Sequence, residues 1–192
     1  MLNLPIYKDG SLTIISGCMY SGKTTELIRL INIANIANLK TVVFKPAVDT
    51  RYIKNKVTSH NKVSIDSILI KKPKDILKHT KNSQVVGIDE IQFFDPSIID
   101  VCKKLVSKNK IVIGAGLNTD FRGEPFGSMP ALLALADNLI KTYAVCEICK
   151  STATRTQRLI KGKPAKYDSP VVLVGGRESY TARCTSCHKV PR

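Results

Sequence analysis

The chain has 192 residues, 43% of them apolar, and a formal net charge of +15. That length suits one globular domain with a small appendage, and the apolar share excludes a largely disordered chain. No apolar run approaches the ~18 residues of a membrane-crossing helix. The opening MLNLPIYKDGS has no long apolar centre before a small-residue cleavage site, so the cytoplasm is the expected location.

In chain order, LTIIS (12–16) reads as a strand, 24–38 as a helix with apolar residues at helical spacing, and TVVFK (41–45) as a strand. Residues 46–64 are polar and lysine-rich and read as a loop, with a short strand near VSIDSILI. PKDILKHT predicts a helix opened by proline, and QVVGIDE (84–90) a short buried strand ending in two acids. Asp95 and Pro96 predict the N-cap and first residue of a helix reaching about 107. KIVIGAG (110–116) is the next strand, SMPALLALADN a helix capped by its serine, and LIKTYAV (139–145) the strand that closes the sheet. This alternation predicts an α/β domain over 1–145, a mainly parallel sheet with helices on both faces. Past 145 the texture changes to short β-like runs, RTQRL and PVVLVGG, around the loop IKGKPAKYDS, so 146–192 reads as a second, small domain.

Residues 45–81 carry ten Lys/Arg against three Asp/Glu, and 146–192 again ten against three. Basic surplus suits nucleic acid or nucleotide phosphates, but few aromatics interleave the lysines, which favours a solvated surface over a nucleic-acid track.

GCMYSGKT (17–24) fits G-x-x-x-x-G-K-[ST] between the first strand and helix. In such a loop the backbone N–H groups of Gly17, Cys18, Met19, Tyr20, Ser21 and Gly22 turn inward to phosphate oxygens. Lys23 reaches the β- and γ-phosphates, and the Thr24 hydroxyl ligates magnesium. The pattern specifies triphosphate binding and leaves the reaction open. Asp89 and Glu90 stand where a buried strand leaves the sheet, the edge at which open α/β sheets bind ligands. Asp89 there suits magnesium, and Glu90 a general base acting on water or on a substrate hydroxyl. DEIQ also resembles the acidic box of helicases. Only 47 residues follow the first domain, however, too few for the second nucleotide-clasping domain of a motor.

Two cysteines, Cys18 and Cys102, stand alone and read as buried fillers. The others form CEIC (Cys146, Cys149) and CTSC (Cys184, Cys187), 34 residues apart, a pattern for a four-thiolate structural zinc, with His188 as an alternative ligand. Zinc there would pin both ends of a loop beside the phosphate site. A closing loop excludes water, which favours phosphoryl transfer to a small acceptor.

Together GCMYSGKT, VDTRY (48–52), DEIQFF, GLNTDFRGEPFG (116–127) and CEIC with CTSCH resemble the zinc-containing thymidine kinases, in register over roughly residues 12–190. The resemblance implies transfer of the ATP γ-phosphoryl group to the 5′-hydroxyl of thymidine or deoxyuridine, with Glu90 as general base. It places Lys23, Thr24 and Asp89 on phosphate and magnesium, and Asp49 and Arg51 near the phosphates. It puts Met19, Phe93, Leu117, Phe121 and Tyr180 around the nucleoside, and main-chain contacts to the base near Thr156, Leu173 and Gly175, with Arg158 in the same stretch. It further implies a homotetramer and feedback inhibition by thymidine triphosphate, with no membrane or nucleic-acid partner. Departures are Cys18 where the family commonly has proline, Tyr20 where it has phenylalanine, and Ile91 at a variable position. A nucleic-acid-binding ATPase with a zinc ribbon, favoured by the charge and DEIQ, and a nucleotide-binding regulator without catalysis are the competing readings.

Overall fold

The structure is a computed structural model that describes residues 9–47, 56–58, 64–173, 176 and 178–192. Along the chain the first strands are β1 (Ser11–Ser16), β2 (Thr41–Pro46), the antiparallel pair β3 (Lys56–Thr58) and β4 (Ser64–Asp66), and β5 (Ile68–Ile70). They are followed by β6 (Val85–Ile88), β7 (Ile111–Gly116) and β8 (Asn138–Lys141). Six of these form one sheet in the order β5-β2-β6-β7-β1-β8, with every pairing parallel. Among the described residues no helix is long and apolar enough to cross a membrane.

Side chains alternate across the sheet, so each strand feeds two cores. On one face Ile15, Val43, Val85, Ile113 and Ala115 pack under Leu27, Ile28, Leu30 and Ile31 of helix α1 (Lys23–Ile36). Val57 and Ile65, from the β3–β4 pair, join them. On the other face Leu12, Ile14, Phe44, Val86, Ile88 and Val112 pack against α2 (Ser97–Val106) and α3 (Met129–Leu135). Helices on both faces of a parallel sheet match the expected class. Cys18 and Cys102 are buried, as fillers should be.

Several boundaries differ from the sequence reading for local reasons. PKDILKHT forms a 3-10 helix, Pro73–His79, not an α-helix. Its buried residues, Pro73 and Ile76, are three apart and eclipse on one face of a three-residue turn. Helix α1 stops at Ile36 because Asn38 turns left-handed (φ 57°) and Leu39 N–H bonds back to the Ala34 carbonyl at 3.0 Å. The Ser128 hydroxyl makes no capping bond; its carbonyl serves the Leu132 N–H instead, at 3.1 Å. Helix α3 ends at Leu135, short of the expected 138, because Asp137 is captured by β1. Its N–H bonds the Leu12 carbonyl at 2.9 Å, and its Oδ2 accepts from Leu12 N–H at 2.8 Å. Asp95 caps as expected: Oδ1 accepts the Ser97 N–H at 2.9 Å, and its carbonyl accepts that of Ile98 at 3.1 Å.

LIKTYAV divides. β8 stays on β1, while β9 (Ala144–Val145) pairs antiparallel with β10 (Thr152–Ala153) outside the main sheet. Next, β11 (Arg155–Ile160) is flanked by β12 (Lys163–Pro164) and by β13 (Tyr180–Arg183), both antiparallel. RTQRL is therefore a strand, whereas Val171–Leu173 of PVVLVGG is not. The C-terminal segment is tied to β11 by Gln157, whose amide bonds the Lys189 carbonyl and N–H, both at 2.8 Å.

Candidate active site

The parallel sheet brings four strand ends to one edge. After β1 comes the glycine loop, near the end of β2 Lys45, after β6 Asp89 and Glu90, and after β7 Leu117. In the loop Tyr20 and Gly22 both have positive φ (65° and 87°), which curls residues 17–22 ahead of α1. Lys23 is buried, and its Nζ donates to the Cys18 carbonyl at 2.8 Å, across the concavity where phosphates would lie. Burial pushes this ammonium below the ordinary lysine range, opposed by the negative charge of Glu90. Thr24 Oγ1 donates towards both Asp89 carboxylate oxygens, at 3.3 and 3.4 Å.

Burial, reinforced by the adjacent Glu90 charge, pushes the Asp89 carboxyl up to about 7. A hydroxyl and a buried carboxylate this close are hard oxygen donors, and a divalent cation would offset the cost of burying the charge. The pair fits magnesium. Glu90 itself adopts the left-handed conformation (φ 50°, ψ 39°), uncommon for a residue with a side chain. It is steadied by Phe93 N–H on its carbonyl at 3.1 Å and by Gln92 Nε2 on its Oε2 at 2.6 Å.

Lys23, Thr24 and Glu90 open onto one cavity of about 390 Å³. Its lining includes Tyr20, Gly22, Lys23, Thr24, Lys45 and Glu90 together with Met19, Phe93, Leu117, Phe121, Phe126, Thr156, Leu173 and Tyr180. The volume lies in the roughly 300–1,000 Å³ range of small-molecule sites. Phe93 meets Phe126 edge to face (5.4 Å, 86°). The Phe121 ring lies 5.5 Å from the Arg122 guanidinium and 5.3 Å from that of Arg158, which also donates to the Pro170 carbonyl. Tyr180 donates its hydroxyl to the Leu173 carbonyl at 2.8 Å, tying β13 to the segment beside the cavity.

The second unit is stitched to the glycine loop. Met19 N–H donates to Thr156 Oγ1 at 3.0 Å, and Cys18 packs with Cys146, Ala153 and Ala182. Behind this contact the sulfurs of Cys146, Cys149, Cys184 and Cys187 all lie within 4.8 Å of one another. A tetrahedral zinc with Zn–S of about 2.3 Å requires sulfurs about 3.8 Å apart, so the four fit. His188, considered as an alternative ligand, stands outside this group and gives its Nε2 hydrogen to the Phe121 carbonyl at 2.9 Å.

Gly17, Cys18, Ser21 and Asp89 shape the loop and its surroundings without lining the cavity. Asp49, Arg51 and Gly175 lie outside the described residues. Sequence reasoning missed Lys45, Phe126 and Gln92. Lys45 could have been found as the cation at the sheet-edge end of a parallel strand; partial burial holds it below the ordinary lysine range, with Asp89 opposing. Phe126 and Gln92 carried no signal of their own.

A G-x-x-x-x-G-K-T loop, a buried carboxylate on its threonine, a second acid beside it and a cavity with apolar lining fit one class: a P-loop phosphotransferase. The family model for thymidine kinase matches residues 10–188. The thymidine kinase of Coprothermobacter proteolyticus is 53% identical over 186 residues, covering 97% of this chain and 94% of that protein. The chain belongs to the thymidine kinase family.

Proposed function

We propose that this protein transfers the γ-phosphoryl group of ATP to the 5′-hydroxyl of thymidine, and of deoxyuridine, giving the 5′-monophosphate. The observation that carries this reading is the shared cavity. Lys23, Thr24 and Glu90 line the same cavity as Met19, Phe93, Leu117 and Phe121, so donor and acceptor can meet in one space.

In this reading the loop N–H groups other than that of Met19, which Thr156 holds, bind the triphosphate together with Lys23, with Lys23 exchanging its Cys18 carbonyl for phosphate oxygens. Glu90 accepts the proton of the 5′-hydroxyl. The freed oxygen lone pair forms the new bond to the γ-phosphorus, the bond from that phosphorus to the β,γ-bridging oxygen breaks, and ADP leaves with those electrons. Magnesium, held by Thr24 and Asp89, would neutralise charge on the β- and γ-phosphates. Asp49 and Arg51 act near the phosphates, and the main chain near Thr156, Leu173 and Gly175 contacts the base. Zinc on the four cysteines would supply a structural cross-link. Residues 146–192 then act as a lasso domain closing over the nucleoside, and residues 1–145 as the ATP-binding domain.

A cytoplasmic homotetramer under feedback inhibition by thymidine triphosphate completes the reading. It is supported by the resemblance of the motifs and, for self-association, by exposed Leu139 on the edge strand β8 and Tyr143 just after it. Sedimentation and inhibition assays with that triphosphate test both. For the reaction itself the test is Glu90→Gln. ATP affinity should hold while turnover falls about 10²–10⁴-fold, the usual worth of base catalysis. Near-normal turnover would remove Glu90 from its role.

A further inference from the structure

Gln92 is almost sealed from solvent, at 2% exposure, yet both ends of its amide are engaged. Nε2 donates to Glu90 Oε2 at 2.6 Å, and Oε1 accepts the Leu117 N–H at 3.1 Å. The chemistry of the partners sets the amide orientation, since an N–H can only donate and an ionised carboxylate can only accept. Two glycines leave room for this residue, one at its side chain and one at its main chain. A Cβ on Gly116 would come within 2.6 Å of Gln92 Oε1, and one on Gly127 within 2.6 Å of the Gln92 carbonyl oxygen. The base sits on a strained left-handed residue after β6, and Leu117 is a wall of the acceptor pocket after β7. Gln92 is the covered link between them.

We propose that Gln92 is a positioning residue for phosphoryl transfer. Its amide fixes Oε2 of Glu90, leaves Oε1 for the acceptor proton, and ties that orientation to the pocket wall through Leu117. A carboxamide suits the task because it is neutral and carries a donor and an acceptor on one planar group. The inference rests on the reading of Glu90 as general base. A misplacement of about 1 Å at such a group can cost about 10²-fold in rate without a change in substrate binding.

The test uses two substitutions, each in the wild-type and in the Glu90→Gln background. Gln92→Met removes both bonds at similar volume, and Gln92→Leu removes them with a smaller, branched side chain. Expected are a kcat loss of about 10²-fold for Gln92→Met, a thymidine KM within a few-fold of normal, and little further loss once Glu90 is already glutamine. Gln92→Leu should behave alike, and it decides the matter if Gln92→Met fails to fold. Full kcat in Gln92→Met, or an equal fold-loss in both backgrounds, would overturn the proposal by showing a packing role independent of Glu90. Glu90→Gln measured alone separates this outcome from failure of the base assignment, because near-normal turnover in that variant overturns both.

Discussion

Gly17→Ala tests the packing of the phosphate loop. The backbone at Gly17 is ordinary, so the difficulty for alanine is space rather than conformation. A Cβ there would lie 2.4 Å from Thr142 Oγ1, 2.5 Å from the Thr142 carbonyl oxygen and 2.6 Å from Ser21 Oγ. None of these can retreat alone. Thr142 N–H is bonded to the Ser16 carbonyl at 2.8 Å, and Ser21 Oγ holds the Cys18 carbonyl at 2.8 Å and Thr142 Oγ1 at 2.7 Å. The methyl group must therefore push the loop off the end of β8 or break this network. Overpacking of this kind costs about 1–3 kcal/mol. At about 2–4 °C per kcal/mol for a chain of this size, Tm should fall by about 2–12 °C. Titration with a fluorescent ATP analogue should show weaker binding in the same variant, because the displaced loop carries N–H groups proposed to hold the phosphates. Gly22→Ala is the control. No atom of the described residues lies within 4 Å of its Cβ, but φ is +87°, so its cost, about 1–2 kcal/mol, is conformational and should be partly recovered by Gly22→Asn. A Gly17→Ala protein with Tm within about 1 °C of wild type and unchanged nucleotide affinity would refute the reasoning.

Cys184→Ser with Cys187→Ser should lower bound zinc from one per chain to near zero and lower Tm; metal analysis finding no zinc in the unaltered protein would contradict the four-thiolate assignment. Tyr180→Phe removes the bond to the Leu173 carbonyl, and at about 0.5–1.5 kcal/mol for a hydrogen bond the thymidine KM should rise about 2–12-fold with ATP KM unchanged. Asp95→Ala should cost about 1 kcal/mol by urea unfolding at neutral pH. The Ser97 contacts hold this carboxyl below the usual aspartate range in the folded state. The cap's contribution is therefore present above about pH 3.9, the unfolded value, and fades as pH falls through the lower folded value.

The parts of the site that the sequence exposes are those where chemistry ties residue type to spacing. Lys23 and Thr24 follow their glycine at a fixed offset, Asp89 and Glu90 end an apolar run, and the cysteines come as two spaced pairs. Each constraint is local, so a linear pattern carries it. Gln92 shows the opposite case. Its partners are Glu90, two residues away, and Leu117, twenty-five residues away just after the next strand, and only the β6–β7 pairing brings them together. Lys45 and Phe126 likewise gain meaning from the cavity they share. Helix ends failed where a distant group captured the chain, as β1 captures Asp137 and shortens α3. The left-handed turn at Glu90 carried no mark in composition, since glutamate is not a residue that favours it.

The most direct measurement incubates the purified protein with ATP, magnesium and a panel of nucleosides, and follows the products by mass. The account predicts a nucleoside 5′-monophosphate from thymidine and deoxyuridine, formed in step with ADP and not stimulated by DNA or RNA. ADP accumulating without any nucleoside monophosphate, whichever nucleoside is supplied, would contradict it.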